Sequence, residues 1–243
     1  MGNLIKSLRL KLASGAPFSS AELQEAGISN ALAAKYVRSG WLERLDRGVY
    51  QFAGDYLELE KTLRFLEERV SGLHVAGKTA LARHGYLQNV AFRETTIVWA
   101  KGRAQLPEWA RTRFNLRFCV RHLFEGNLAF QDRVCRLPDR EDGPWVSQPE
   151  IALLEMLSEV GVTEGVEETR NIMEGMVRVR PSRMCQAIAA CKMVKAVRLC
   201  VLWAAEFKFE WAAAAREAVP TSKRKGRWVG KLDNGKTLTL AEL

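Results

Sequence analysis

The stretch Gly72-Leu73-His74-Val75-Ala76-Gly77-Lys78-Thr79 meets the pattern G-x-x-x-x-G-K-[ST] at all four fixed positions. In a phosphate-binding loop the backbone N–H groups cradle phosphate oxygens, the lysine reaches the terminal phosphates and the hydroxyl holds Mg²⁺. That chemistry needs a buried strand delivering the first glycine, a helix after the loop, and a second strand ending in a carboxylate for the metal. Here the residues before Gly72 are RFLEERVS, a charged helical end, and the best downstream strand, TTIVWAKG, closes on Lys101. The motif therefore stands unsupported on both sides. A short strand over Leu73–Ala76 and a helix from Thr79 onward are expected instead.

Other chemically capable residues are scattered. His74, His84 and His122 have no spaced partner and read as ordinary histidines. Glu206, Lys208 and Asp139 supply the acid, acid, lysine set of a metal-dependent nuclease, but that set must converge on one sheet edge to hold Mg²⁺. Glu206 closes an apolar helix and Asp139 lies in a distant loop. The five cysteines are odd in number and never form C-x-x-C, so reduced thiols are expected rather than a disulfide framework or a zinc ribbon. No catalytic, metal-ligating or cofactor-binding residue is assigned, and no cofactor is expected.

The elements near the amino terminus suggest a different use. In LIKSLRLKL, Leu4, Ile5, Leu8 and Leu12 share one helical face, leaving Lys6, Arg9 and Lys11 for solvent or phosphate. A second helix starts with Ser19 as N-cap and Glu22 closing a capping box, and Phe18 and Leu23 are placed as a hydrophobic staple. Gly27 ends it; Ser29 caps a third helix with an apolar stripe of Leu32, Ala33, Tyr36 and Val37, and Gly40 stops that helix. WLERLDRGVYQF then reads as strand, Asp46-Arg47-Gly48 turn and strand, with Trp41 or Leu42, Leu45, Val49 and Phe52 pointing inward. Three helices and a basic hairpin make a winged helix-turn-helix. Its third helix would expose Asn30, Lys35 and Arg38 to a major groove, and the hairpin would set Arg44 and Arg47 against the backbone.

Beyond it, Tyr56–Val70 reads as an amphipathic helix on Leu59, Leu63, Leu66 and Val70. Strands are expected at Thr95–Ala100, Leu116–Arg121 and Arg133–Leu137, with a helical turn at LPEWARTR. Helices follow from Ser147, where Ser147 and Glu150 suggest a capping box around Pro149, and then from Glu164 to about Met176, Pro181 to Cys191 and Val194 to Phe207. Trp203, Phe207, Phe209 and Trp211 read as core aromatics. Arg227–Leu232 and Thr237–Leu240 would close the chain as a hairpin through an Asp-Asn-Gly turn.

At 243 residues with 47% hydrophobic side chains the chain can bury a core without staples. Its 37 Lys and Arg against 28 Asp and Glu, a formal charge of +9, favour a polyanionic partner, nucleic acid first. No run approaches a membrane span and the basic, interrupted N-terminus is unlike a signal peptide, so a cytoplasmic protein with no membrane partner is expected.

These segments in this order resemble the AbiEi-type antitoxins of type IV toxin-antitoxin systems. The resemblance rests on GWLERLDRGVYQF, TALARHGY, VSQPEIALLEML, RPSRMCQAIAACKMVKAVRLCVLWA and the terminal GRWVGKLDNGKTLTL, and covers nearly the whole chain. It implies an α+β fold: a winged helix-turn-helix over residues 1–55, then a larger mixed α/β antitoxin domain over 56–243 with a small sheet and several helices. It further implies a non-enzymatic autorepressor that binds inverted repeats in its own promoter as double-stranded DNA and neutralises a cognate nucleotidyltransferase-like toxin; the modest positive excess of residues 1–50 adds that a specific operator would need two copies, a possible dimer on DNA. In that reading Asn30, Lys35, Tyr36 and Arg38 sit at the groove, with Arg44 and Arg47 on the backbone. The alternatives are a winged-helix regulator sensing a small ligand and an enzyme using Lys78 and Thr79 on a nucleotide.

Overall fold

The computed structural model describes residues 2–87, 95–103, 105–231, 235 and 237–243. Two hydrophobic clusters organise it. The smaller is built from Ile5, Leu8, Phe18, Leu23, Ile28, Ala33, Tyr36, Leu42 and Phe52; the larger begins at Leu63 and runs to Leu240.

Around the small core lie α1 (Gly2–Lys11), β1 (Phe18–Ser19), α2 (Ser20–Glu25), α3 (Asn30–Arg38), β2 (Leu42–Asp46) and β3 (Val49–Phe52). The strands form an antiparallel sheet in the order β1-β3-β2. β1 was not expected: Phe18 and Ser19 pair with Tyr50 and Val49 before Ser19 caps α2, so two residues close both the sheet and the helix. The capping box is formed, with Glu22 N–H donating to Ser19 Oγ at 3.1 Å and Ser19 N–H donating to Glu22 Oε2 at 2.7 Å. Leu42 takes the inward position at 2% exposure, while Trp41 is 50% exposed.

The second part opens with α4 (Leu59–Glu67) and contains a five-stranded mixed sheet in the order β6-β5-β4-β8-β7. Its strands are β4 (His74–Val75), β5 (Thr96–Ala100), β6 (Leu116–Val120), β7 (Val134–Cys135) and β8 (Val146–Ser147). β5 runs parallel to β6 and β4 parallel to β8; the β4–β5 and β7–β8 pairs are antiparallel. α5 (Gly77–Arg83), α6 (Glu108–Arg113) and α7 (Phe130–Arg133) connect these strands.

α8 (Pro149–Ser158) is the centre of this half, with every residue from Glu150 to Ser158 buried. α9 (Val166–Glu174), α10 (Pro181–Ala190) and α11 (Val194–Glu206) pack on it, and α12 (Ala212–Glu217) packs on α10 and α11. The expected capping box at its start is not made, because the local chain is committed to tertiary contacts. Gln148 is the N-cap, Ser147 Oγ donates to Glu155 Oε1 at 3.0 Å, and Glu150 receives Arg180. Trp203 and Trp211 are buried and Phe209 stacks on Trp211 with centroids 5.3 Å apart, as core aromatics should.

After α13 (Thr221–Arg224), β9 (Trp228–Lys231) and β10 (Thr237–Leu240) form the terminal hairpin; its expected Asp-Asn-Gly turn lies partly outside the described residues. Arg198 of α11 anchors this tail. Its buried guanidinium donates to the carbonyls of Lys223 (3.0 Å), Lys225 (2.7 Å) and Gly226. Among the described residues no helix is long and apolar enough to cross a membrane.

Candidate nucleic-acid interface

The exposed face of α3 follows from its 3.6-residue period. Ala33 and Tyr36 are buried, Leu32 and Val37 are half-buried, and Asn30, Ala31, Ala34, Lys35 and Arg38 face solvent. Both helix ends are fixed. Leu32 N–H donates to Ser29 Oγ at 3.2 Å, and at the far end Gly40 N–H reaches Val37 O at 3.1 Å and Trp41 N–H reaches Tyr36 O at 2.9 Å. Nine residues give a rod of about 13 Å. Ala31 and Ala34 lie between the polar side chains, so the backbone can approach a groove closely and offer methyl contacts to thymine.

Tyr36 requires a correction. It is 1% exposed inside the small core, and its hydroxyl is buried with no hydrogen-bond partner. It falls three residues after Ala33, on the face opposite Ala34 and Arg38, so it holds α3 against the domain and cannot read DNA. The apolar stripe that contains it had already placed it inward; the resemblance placed it at the groove, and packing decides.

The hairpin presents Arg44 and Arg47 to solvent. Pairing slips between Arg44 and Asp46, making Leu45 a bulge residue. Asp46 Oδ1 accepts Arg47 N–H at 2.6 Å and Asp46 O accepts Arg44 Nε at 3.1 Å, which fixes the tip. Leu45 and Val49 pack against the larger core, not the smaller one, and Arg113 of α6 pairs with Glu43 at 2.8 Å. The wing is thereby braced from behind. Among the described residues no carboxylate pairs with Lys35, Arg38, Arg44 or Arg47. Asn30 is tied to α2 through Gln24 Nε2 at 3.3 Å. Ala31, Ala34 and the half-exposed Trp41 belong to the same region and carried no sequence signal beyond their period.

The phosphate-loop motif is occupied by protein. α5 starts at Gly77 rather than Thr79, and where a phosphate would sit lies the Glu155 carboxylate, 1% exposed. Its Oε2 accepts Gly77 N–H at 2.9 Å, while Oε1 meets His74 Nε2 at 3.1 Å and Ser147 Oγ at 3.0 Å. Lys78 is paired to Glu168, and Thr79 Oγ1 accepts Ile97 N–H at 3.0 Å. The two glycines have structural reasons. Gly72 has φ +68° and a Cβ there would lie 3.0 Å from Lys101 Cβ, while Gly77 has φ +52° and rests on the backbone of Met156. The polar groups of Gly77, Lys78 and Thr79 are thus engaged by protein partners at this loop.

The remaining chemical residues stay apart. His84 Nε2 bonds Ser147 O at 2.9 Å, and burial lowers its pKa below the ordinary value against the raising effect of that bond. His122 accepts Gly102 N–H at 3.3 Å. Glu206 pairs with Arg170, and Asp139 lies beside Arg140 at 3.9 Å, so the nuclease-like set does not assemble. Burial costs the Glu150 carboxylate, yet the bonds from Arg180, at 2.7 Å and 2.9 Å, hold its pKa below the usual range. Among the described residues no cluster could hold a metal ion, and all five cysteines are free. Burial raises the Cys191 pKa to about 11 and drives the Cys200 thiol up further.

Two protein-family models match the chain in tandem. Residues 1–92 match the N-terminal domain of the AbiEi antitoxin transcriptional regulators, and residues 93–239 match the transcriptional regulator, AbiEi antitoxin, of type IV toxin-antitoxin systems. No curated protein matches the chain. Among solved structures, the crystal structure of the RV2827C protein from Mycobacterium tuberculosis is similar in fold, with a TM-score of 0.60 at 16% identity over 93% of this chain and 81% of that one. An amino-terminal winged helix joined to a larger α/β half, matched along both halves by the same family, leads to one assignment: the chain belongs to the AbiEi antitoxin family of type IV toxin-antitoxin transcriptional regulators.

Proposed function

We propose that this protein is a DNA-binding antitoxin that represses its own operon through the winged helix and neutralises a nucleotidyltransferase-like toxin through its larger half, without catalysis of its own. The observation that carries the DNA reading is the unpaired cationic surface of α3 and the hairpin, Lys35, Arg38, Arg44 and Arg47, around the small side chains of Ala31 and Ala34. Asn30, freed from Gln24, supplies an amide able to read adenine. The DNA-binding unit is residues 1–55, since its core closes at Phe52 and the next begins at Leu63. One such unit offers few phosphate contacts, so a dimer on inverted repeats supplies specificity in the cytoplasm.

The test is retention of a promoter duplex bearing the inverted repeats in a gel-shift assay. Arg38→Ala combined with Arg47→Ala abolishes retention at protein concentrations that saturate the parent; unchanged retention overturns the proposal. Rescue of growth when the chain is co-expressed with the adjacent toxin gene tests the second half independently.

A further inference from the structure

A second cationic site lies in the larger half. A cleft of about 440 Å³ opens where the turn after α4 meets the carboxyl ends of β5 and β6, and it is lined by Arg69, Ser71, Lys101, Gly102, Arg103 and Gln105. None of its lining residues is acidic. In a sheet the crevice outside the carboxyl ends of parallel strands is where ligands settle, and β5 and β6 are parallel neighbours ending together at Ala100 and Val120. The rim is tied together by backbone bonds: Lys101 N–H donates to Ser71 O at 2.9 Å, Arg121 N–H to Ala100 O at 3.3 Å, and Gly102 N–H to His122 Nε2 at 3.3 Å. Arg69 is held in place, with its guanidinium 3.6 Å from the centroid of the Phe65 ring and one N–H on Phe65 O at 3.1 Å. Its nearest carboxylate, on the exposed Glu68, stands 3.8 Å away. Among the described residues Lys101 and Arg103 have no ion pair.

We infer that this cleft binds the phosphate chain of a nucleotide-sized polyphosphate. Three converging cations without an internal carboxylate match a multiply charged anion, and two guanidinium forks suit phosphate oxygens. The volume falls in the range of small-molecule sites. Operator DNA is a poor occupant. α4 is tied to the winged helix at its start, through Glu58 N–H to Gly15 O at 2.7 Å, and reaches Arg69 only after its full length of about 13 Å. β6 likewise begins just after α6, which contacts the wing through Arg113, and reaches its carboxyl end only after about 16 Å of strand. The site borders Gly72 but does not use Gly77, Lys78 or Thr79, whose groups are consumed internally, and it implies binding without hydrolysis.

The test is calorimetric titration of the full chain with inorganic tripolyphosphate, with ATP, with a single-stranded oligonucleotide and with poly-glutamate. Tripolyphosphate and ATP should bind, with affinity falling about tenfold for each cation removed in Lys101→Ala and Arg103→Ala. Lys78→Ala should leave binding unchanged. Three results overturn the inference: no binding by any phosphate probe, poly-glutamate binding as tightly with the same losses, or an oligonucleotide binding with those losses when the triphosphates do not, which would assign the cleft to a nucleic-acid strand instead. Because Lys101 and Arg103 belong to the larger half and not to α3 or the hairpin, promoter retention should survive both substitutions, so this inference and the proposed DNA function fail separately.

Discussion

Replacing Glu155 by Ala tests whether the Gly72–Thr79 stretch is a structural joint. The carboxylate is buried and receives the Gly77 N–H, the Ser147 hydroxyl and His74 Nε2. Its removal leaves at least one buried backbone donor without a partner, costing about 1–3 kcal/mol. It also opens a hole beside α8 and separates a buried acid from its imidazole, so the total should reach about 3–5 kcal/mol. That is a large share of the roughly 5–15 kcal/mol available to a folded protein. Glu155→Gln keeps an acceptor for Gly77 N–H but puts an amide N–H donor where one oxygen served both His74 Nε2 and Ser147 Oγ, a cost of about 1–2 kcal/mol. Urea unfolding at pH 7 followed by tryptophan fluorescence, which seven tryptophans make sensitive, measures both. A loss below about 1 kcal/mol for Glu155→Ala refutes the reasoning, as would ATP binding in that variant that depends on Lys78.

Tyr36→Phe removes a buried hydroxyl that has no partner, so stability should hold or rise by about 1 kcal/mol, and promoter retention should not change; weakened retention would return Tyr36 to the groove. Lys208, with φ +57°, stands at the position after α11 where glycine is favoured, and Lys208→Gly should raise the urea midpoint by an amount worth about 0.5–1 kcal/mol. His84 titrates below its unfolded value near 6.5 because of burial, so the unfolded chain binds more protons in that window. Its contribution is therefore fully present above about pH 6.5 and is lost as pH falls toward the folded value. The drop in Tm between pH 7.5 and 5.5 should shrink in His84→Gln, and an equal drop would assign the acid sensitivity to other groups.

Much of the fold was legible where local chemistry acts alone. Ser19 with Glu22, Ser29 and Gly40 announced the ends of α2 and α3, and alternation in LERLD and VYQF announced the hairpin. The failures have one physical form: a residue claimed by a distant partner. Ser147 and Glu150 have capping-box spacing, but Glu155 and Arg180 hold them. Gly77, Lys78 and Thr79 have motif spacing, but Glu155, Glu168 and Ile97 occupy their polar groups. Phe18 and Ser19 are too short a run to announce β1, which exists because β3 offers an edge. At the candidate interface, Lys35, Arg38, Arg44 and Arg47 were readable from charge and period. The cleft over Arg69, Lys101 and Arg103 was not, since a sheet register joins residues more than thirty positions apart.

If α3 and its hairpin meet duplex phosphates, binding must weaken as salt rises. Fluorescence anisotropy of a promoter duplex, titrated with the protein from 50 to 200 mM salt, counts those contacts directly. Four cations per copy give a slope of log K against log salt near about −3.6 for each copy bound, doubled for a dimer on both repeats, and Arg44→Ala or Arg47→Ala each make it shallower by about one per copy. A slope near zero, or one that neither substitution changes, contradicts that contact.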